Sequence, residues 1–167
     1  MISFVVGLGA IAAVILLVHP APPLLASGTH APRIALTSDA GAHLDVFASA
    51  DGNPVLLQFF ATTCANCQAQ LPQLCGLHSA FPGVTVVGVD ASRESRGQVV
   101  AYAGRYRAPG CDVPLLVDPG AKVSTRYSIT VVPTVYVVDG AGTITAAGFG
   151  KDAVDAARGE LRRLAGG

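Results

Sequence analysis

The chain has 167 residues, enough for one domain with a sizeable core, and 51% of them are hydrophobic, a share that points to some membrane sequence beside a soluble fold. Eleven basic residues balance eleven acidic ones with no Lys/Arg cluster, which argues against a nucleic-acid partner. Trp is absent and aromatics make up only 6%, so the core has to rest on Val, Leu, Ile and Ala.

The first element is apolar from Ile2 to Val18 with only Ser3 interrupting, near the lower length limit for a helix crossing about 30 Å of hydrocarbon. No polar face breaks it, unlike a core helix, so residues 1–18 read as a transmembrane signal anchor or a signal peptide. A cleaved signal would start with positive residues, which are missing, although Ala26 and Gly28 offer small side chains for a cleavage site; a retained anchor is the favoured reading. Residues 19–32, HPAPPLLASGTHAP, are Pro/Ala-rich and uncharged, the composition of an extended linker in which His19 and His30 are simply carried. One domain, residues 33–167, follows.

RIALTSDAGAHLDVF places two short alternating stretches around Asp39 to Ala42, as in a β-hairpin. NPVLLQFFA is a continuous apolar run entered through Pro54, as expected of a strand buried on both faces. The runs at 84–90, 113–118 and 133–139 share that character, with helical segments at 65–80, 92–106 and 121–127 between them. GTITAAGF and an amphipathic segment from Asp152 to Leu164 close the chain. Strand and helix alternate, which implies an α/β sheet with parallel strands and helices on both faces.

Within this order, FFATTCANCQAQLPQL puts Cys64 where a buried strand ends and a helix begins. Unpaired N–H groups and the positive end of the helix dipole stabilise a thiolate there. Cys67, one turn further, lies on the same helical face, placed to resolve a disulfide that Cys64 forms by attack. Zinc would need two more ligands, and Cys75, Cys111 and the four His show no such spacing. A purely structural disulfide across so short a loop would remove little chain entropy. A peroxide-reducing cysteine would want Thr three residues earlier, where Ala61 stands. Thiol–disulfide exchange through Cys-x-x-Cys, with no cofactor, is the remaining chemistry.

Residues 33–150 resemble the thioredoxin-like domain of the TlpA/ResA group of membrane-tethered thiol–disulfide oxidoreductases. The resemblance rests on FFATTCANCQAQLP with Pro72 eight residues after the first Cys, and on ITVVPTVYVVDGAGTI with its Val-Pro-Thr strand and Asp-x-x-Gly turn. It implies a thioredoxin-like fold: a central mixed sheet flanked by helices, an N-terminal hairpin and an extra strand–helix insertion. It also implies a cis Pro133 facing the thiols, with Val132 offering backbone hydrogen bonds to an extended substrate; the alternative is a trans proline that merely opens a strand. The implied role is extracytoplasmic and reducing, on exported protein disulfides such as those of apocytochrome c. A membrane thiol-electron transporter would be the donor, and the N-terminal helix would tie the domain to the bacterial cell membrane. The alternative function is a tethered, thiol-independent peptide-binding or chaperone module.

Four positions depart from the group. Gln58 stands where thioredoxins carry a buried acid, and Gln70 where a Glu is frequent; neither can take a proton. Thr63 replaces the usual Trp, and Ala65 the usual Pro or Glu. The motif is thus expected to lack nearby acids, leaving the Cys67 proton to water or a partner, while Ala65 and Asn66 tune the potential through their amides.

Cys75 lies near the far end of the Cys64 helix, about 16 Å along it. Cys111 precedes the strand from Val113, and parallel strands start at the end opposite the active site. A structural Cys75–Cys111 disulfide is expected, closing a loop of about 36 residues; two separate buried thiols are the alternative.

Overall fold

In the computed structural model, residues 23–165 are described. The elements in chain order are β1 (Ala35–Ser38), β2 (His43–Asp45), α1 (Val46–Ala50), β3 (Val55–Phe60), α2 (Ala65–Ala80), β4 (Thr85–Asp90) and α3 (Arg96–Tyr106). These are followed by β5 (Leu115–Val117), α4 (Lys122–Arg126), β6 (Thr134–Val138), β7 (Ile144–Phe149) and α5 (Ala153–Ala165). The strands form one sheet in the order β2-β1-β5-β4-β3-β6-β7.

β3, β4 and β5 are parallel, so their carboxyl ends share one edge, and the chain after β3 delivers Cys64 to that edge. β6 runs antiparallel to β3, and β7 to β6, so the sheet is mixed, as the family resemblance implies. The all-parallel reading of the apolar runs is corrected at 133–139: a strand buried on both faces shows the same run in either direction, and only its connection tells the two apart. The N-terminal hairpin pairs Ala35 with Asp45 and Thr37 with His43, then docks on β5. α1 follows directly from Asp45, whose carboxylate caps it; no sequence signal singled it out.

All six residues of β3 are buried, and their alternation divides the core. Leu56 and Phe60 face the cluster under α2, α3 and α5, while Val55, Leu57 and Phe59 face the one under α1 and α4 with Tyr127 and Tyr136. Gln58 belongs to the α2 side by the same period. Gly88 in β4 lets Phe60 and Leu115 close over the strand: a Cβ there would come within 2.6 Å of a Leu115 methyl. Phe60 then stacks on Tyr102 of α3 at 5.1 Å between ring centroids.

The expected free linker is shorter than its composition suggests. Gly28 N–H donates to Ile144 O, Ala31 N–H to Gly142 O and Leu25 N–H to the Tyr136 hydroxyl, while Leu24 and Leu25 pack on the second core cluster. Residues 24–32 are therefore an extended strap over the β6–β7 end, held because backbone donors and two leucines find partners there. The anchor or signal at 1–18 and His19 lie outside the described residues, and no helix among those described is long and apolar enough to cross a membrane.

Candidate active site

α2 starts at Cys64, which is its N-cap: extended at φ −81°, with its Sγ accepting from the Cys67 N–H at 3.1 Å. An N-cap normally satisfies one of the four free N–H groups of a first turn with oxygen; here sulfur does so, which favours a thiolate at Cys64 once the pair is reduced. The two sulfurs are joined in a disulfide with Cα atoms 5.2 Å apart. Cys64 is half-buried and Cys67 fully buried, so an incoming sulfur meets Cys64 first. Ala65 and Asn66 are exposed between them.

On the β6 side, the Val132–Pro133 peptide is cis and the Val132 carbonyl oxygen lies 3.8 Å from Cys64 Sγ. Pro133 is buried and Val132 half-buried, with Val131 and Phe149 exposed at 38% and 50%. Gly150 N–H donates to Pro133 O at 2.9 Å.

Behind Cys67, Gln58 and Gln70 face each other in the core. Gln58 Nε2 donates to Gln70 Oε1 at 2.6 Å, and Gln70 Nε2 donates to the carbonyls of Gly150 and Lys151 at 3.0 and 2.9 Å. The two amides that stand in for acids are thus a neutral clasp tying β3, α2 and the loop after β7 together. That loop is the one bonded to Pro133.

The expectation of no nearby acid is overturned from the other side of β3. Glu94 is buried and its carboxylate accepts from Thr62 N–H at 3.0 and 3.1 Å and from the Thr62 hydroxyl at 2.5 Å, two residues before Cys64. Gln68 Nε2 donates to Thr62 O at 2.8 Å, so Thr62 is held at its amide, hydroxyl and carbonyl. Asp90, fully buried at the end of β4, accepts from the N–H groups of Ser92 and Glu94, both at 2.8 Å. Burial pushes its carboxyl up to about 6 against the pull of those amides, and the Glu94 charge adds to the rise. Tyr102 donates its hydroxyl to Cys67 O at 2.8 Å, and burial first, then Glu94, pushes its phenol up. The signal for these acids was an Asp at the carboxyl end of a parallel strand, the edge where α/β sheets gather their sites.

At the far end of α2, Cys75 and Cys111 are joined in a disulfide, Cα atoms 5.6 Å apart and 36 residues apart in sequence. His78 Nε2 lies 3.1 Å from Asp112 beside it.

Residues 27–147 match the AhpC/TSA family. The chain is 32% identical over 130 residues to the thiol:disulfide interchange protein HelX of Rhodobacter capsulatus, covering 74% of this chain and 68% of that one. It is 24% identical over 139 residues to the thiol-disulfide oxidoreductase ResA of Bacillus anthracis, covering 82% and 78%. In structure it is similar to a putative thiol:disulfide interchange protein DsbE of Chlorobium tepidum, with a TM-score of 0.70 at 21% identity over 84% of this chain and 95% of that one. With a Cys-x-x-Cys pair capping α2 on a thioredoxin fold, the chain belongs to the AhpC/TSA family, among its ResA-like thiol–disulfide oxidoreductases.

Proposed function

We propose that the protein is an extracytoplasmic reductant of disulfides in exported proteins, apocytochrome c among them, recharged by a dithiol of a membrane electron transporter. The observation that carries the reading is the place of a bonded pair at a helix N-terminus: half-exposed Cys64 caps α2 beside the Val132 carbonyl, and Cys67 is sealed behind it. In the reduced protein the Cys64 thiolate attacks one sulfur of a substrate disulfide, and the other substrate sulfur leaves as a thiolate that takes a proton from water. Cys67 then gives up its proton and attacks Cys64 Sγ; the mixed disulfide breaks, the second substrate thiol leaves, and the Cys64–Cys67 disulfide remains. Two electrons have passed to the substrate, and the donor dithiol returns them by the same exchange in reverse. The edge at Val132, 3.8 Å from Cys64 Sγ, supports docking of an extended substrate chain beside the sulfur. The neutral Gln58–Gln70 clasp offers no carboxylate behind Cys67, which supports release of the Cys67 proton to water or to a partner group.

The test is insulin reduction together with the reduction potential of the Cys64/Cys67 couple against glutathione. A reductant gives turnover and a potential below that of the glutathione pool. A potential as high as that of a strong oxidant, about −120 mV, would reverse the direction. Insulin turnover by a variant lacking both cysteines would sink the dithiol role altogether.

A further inference from the structure

Cys64 has two flanks because β3 is central in the sheet, with β6 on one side and β4 on the other. The β6 flank is the Val132–Pro133 edge. The β4 flank opens into a cleft of about 370 Å³ walled by Thr62 and Thr63 on one side and by Tyr102, Arg105 and Tyr106 of α3 on the other. Several of its wall groups are already engaged. Thr62 is held at three atoms by Glu94 and Gln68, and the Tyr102 hydroxyl is spent on Cys67 O. Arg105 differs from the other groups here: it lies over the Tyr106 ring, 5.5 Å from its centroid, and no carboxylate pairs with it among the described residues. No acid lines the cleft, since the nearby Glu94 directs both oxygens to Thr62. A cleft that reaches Thr63, the residue before the reactive Cys64, with one unpaired guanidinium on an aromatic platform, matches a carboxylate carried on a short aliphatic stem.

We infer that the cleft between Thr62–Thr63 and Arg105–Tyr106 is a specificity subsite that takes an acidic side chain of the partner polypeptide, on the side of its cysteine away from Val132. The inference rests on the exchange reaction proposed above and adds which partners that reaction prefers. An extended partner crossing from Val132 over Cys64 lays its cysteine on the sulfur and its next residues into the cleft.

The test uses the reduced full chain and neutral cysteine peptides bearing a 2-pyridyl disulfide, with Glu, Gln or Lys placed two residues before or two residues after the cysteine. Cys64 attacks the peptide sulfur, pyridine-2-thione leaves and is read by absorbance, and Cys67 then frees the peptide thiol. At low salt the second-order rate constant falls in the order Glu, Gln, Lys, by about threefold to tenfold from end to end, as a partly exposed ion pair allows, and on one side of the cysteine more than the other. High salt compresses the series. Arg105→Lys keeps the order, Arg105→Ala flattens it and Arg105→Glu inverts it. Equal rates for the three peptides, or an order unchanged in Arg105→Ala, overturns the subsite while leaving the exchange reaction standing. No thione release from any peptide, where dithiothreitol releases it from all, overturns the reaction and the subsite together.

Discussion

Both cysteine pairs draw on α2, one at its N-cap and one near its last turn; each joins a half-buried cysteine to a buried one, and they differ in loop length and in surroundings. Cys64–Cys67 closes a loop of three residues, which constrains the unfolded chain little, and it leaves one sulfur open to a partner. Cys75–Cys111 spans 36 residues, pins the α3–β5 connection to α2, and lies at the end of the sheet away from the active edge. In the chain-entropy view the second is worth about 4 kcal/mol and the first far less. One helix thus carries a bond suited to being broken and a bond suited to being kept, and the difference comes from loop length and from the place of Cys64 at the helix N-terminus beside the Val132 edge.

The largest effect that would break this contrast is on exchange. Cys64→Ser should reduce insulin turnover to background, whereas Cys67→Ser should accumulate mixed disulfides with partners because the resolving attack is gone. Equal trapping by both variants on non-reducing gels would show that the two cysteines are not divided in role. Next in size is the staple. Replacing Cys75 and Cys111 together by Ser should cost about 2–4 kcal/mol in urea unfolding while exchange continues. If instead that double variant unfolds like the wild type and loses turnover, the distal pair is the working one.

A smaller effect tests the clasp behind the active pair. Gln70→Ala leaves Gln58 Nε2 and the carbonyls of Gly150 and Lys151 without their partner in the core. The expected loss is about 1–3 kcal/mol by urea unfolding. Wild-type stability would mean that water enters and satisfies these groups, and that the loop below Pro133 is held by other contacts.

The contrast itself was legible where it depended on local order. The strand–Cys-x-x-Cys–helix junction follows from an apolar run meeting a helical one, and strand polarity put Cys75 and Cys111 at one end. Of the acids, Asp90 carried a signal at the end of its strand, but Glu94 was not legible. Glu94 is 32 residues from the Thr62 it holds, and nothing near Cys64 announces it; reading only the motif's neighbours, where Gln58 and Gln70 stand, gave a site without acids. The direction of β6 was hidden because burial on both faces erases the alternation that would distinguish it. The strap at 24–32 was hidden too: a Pro/Ala-rich composition does not say that Gly28 and Ala31 will meet free carbonyls at Ile144 and Gly142.

The smallest effect asks whether burial tunes Asp90, at the edge that carries the active pair. Asp90 titrates near 3.8 in an unfolded chain and at about 6 when folded, burial being the main cause. Between those values the folded protein binds more protons than the unfolded one, so this group's contribution to stability is fully present below about pH 4 and is lost as pH rises to about 6. The swing is at most about 3 kcal/mol, at about 1.4 kcal/mol for each pKa unit. Asp90→Asn removes the titration. Its amide oxygen can still accept from one of the Ser92 and Glu94 N–H groups, while its NH2 opposes the other, so the variant carries a constant offset instead of a slope. Unfolding in urea at steps from pH 4 to 7, with both disulfides intact, should therefore show a gap between wild type and Asp90→Asn that changes with pH and levels off above about 6. Two parallel curves would mean that Asp90 is ionised throughout, with the Ser92 and Glu94 amides outweighing burial.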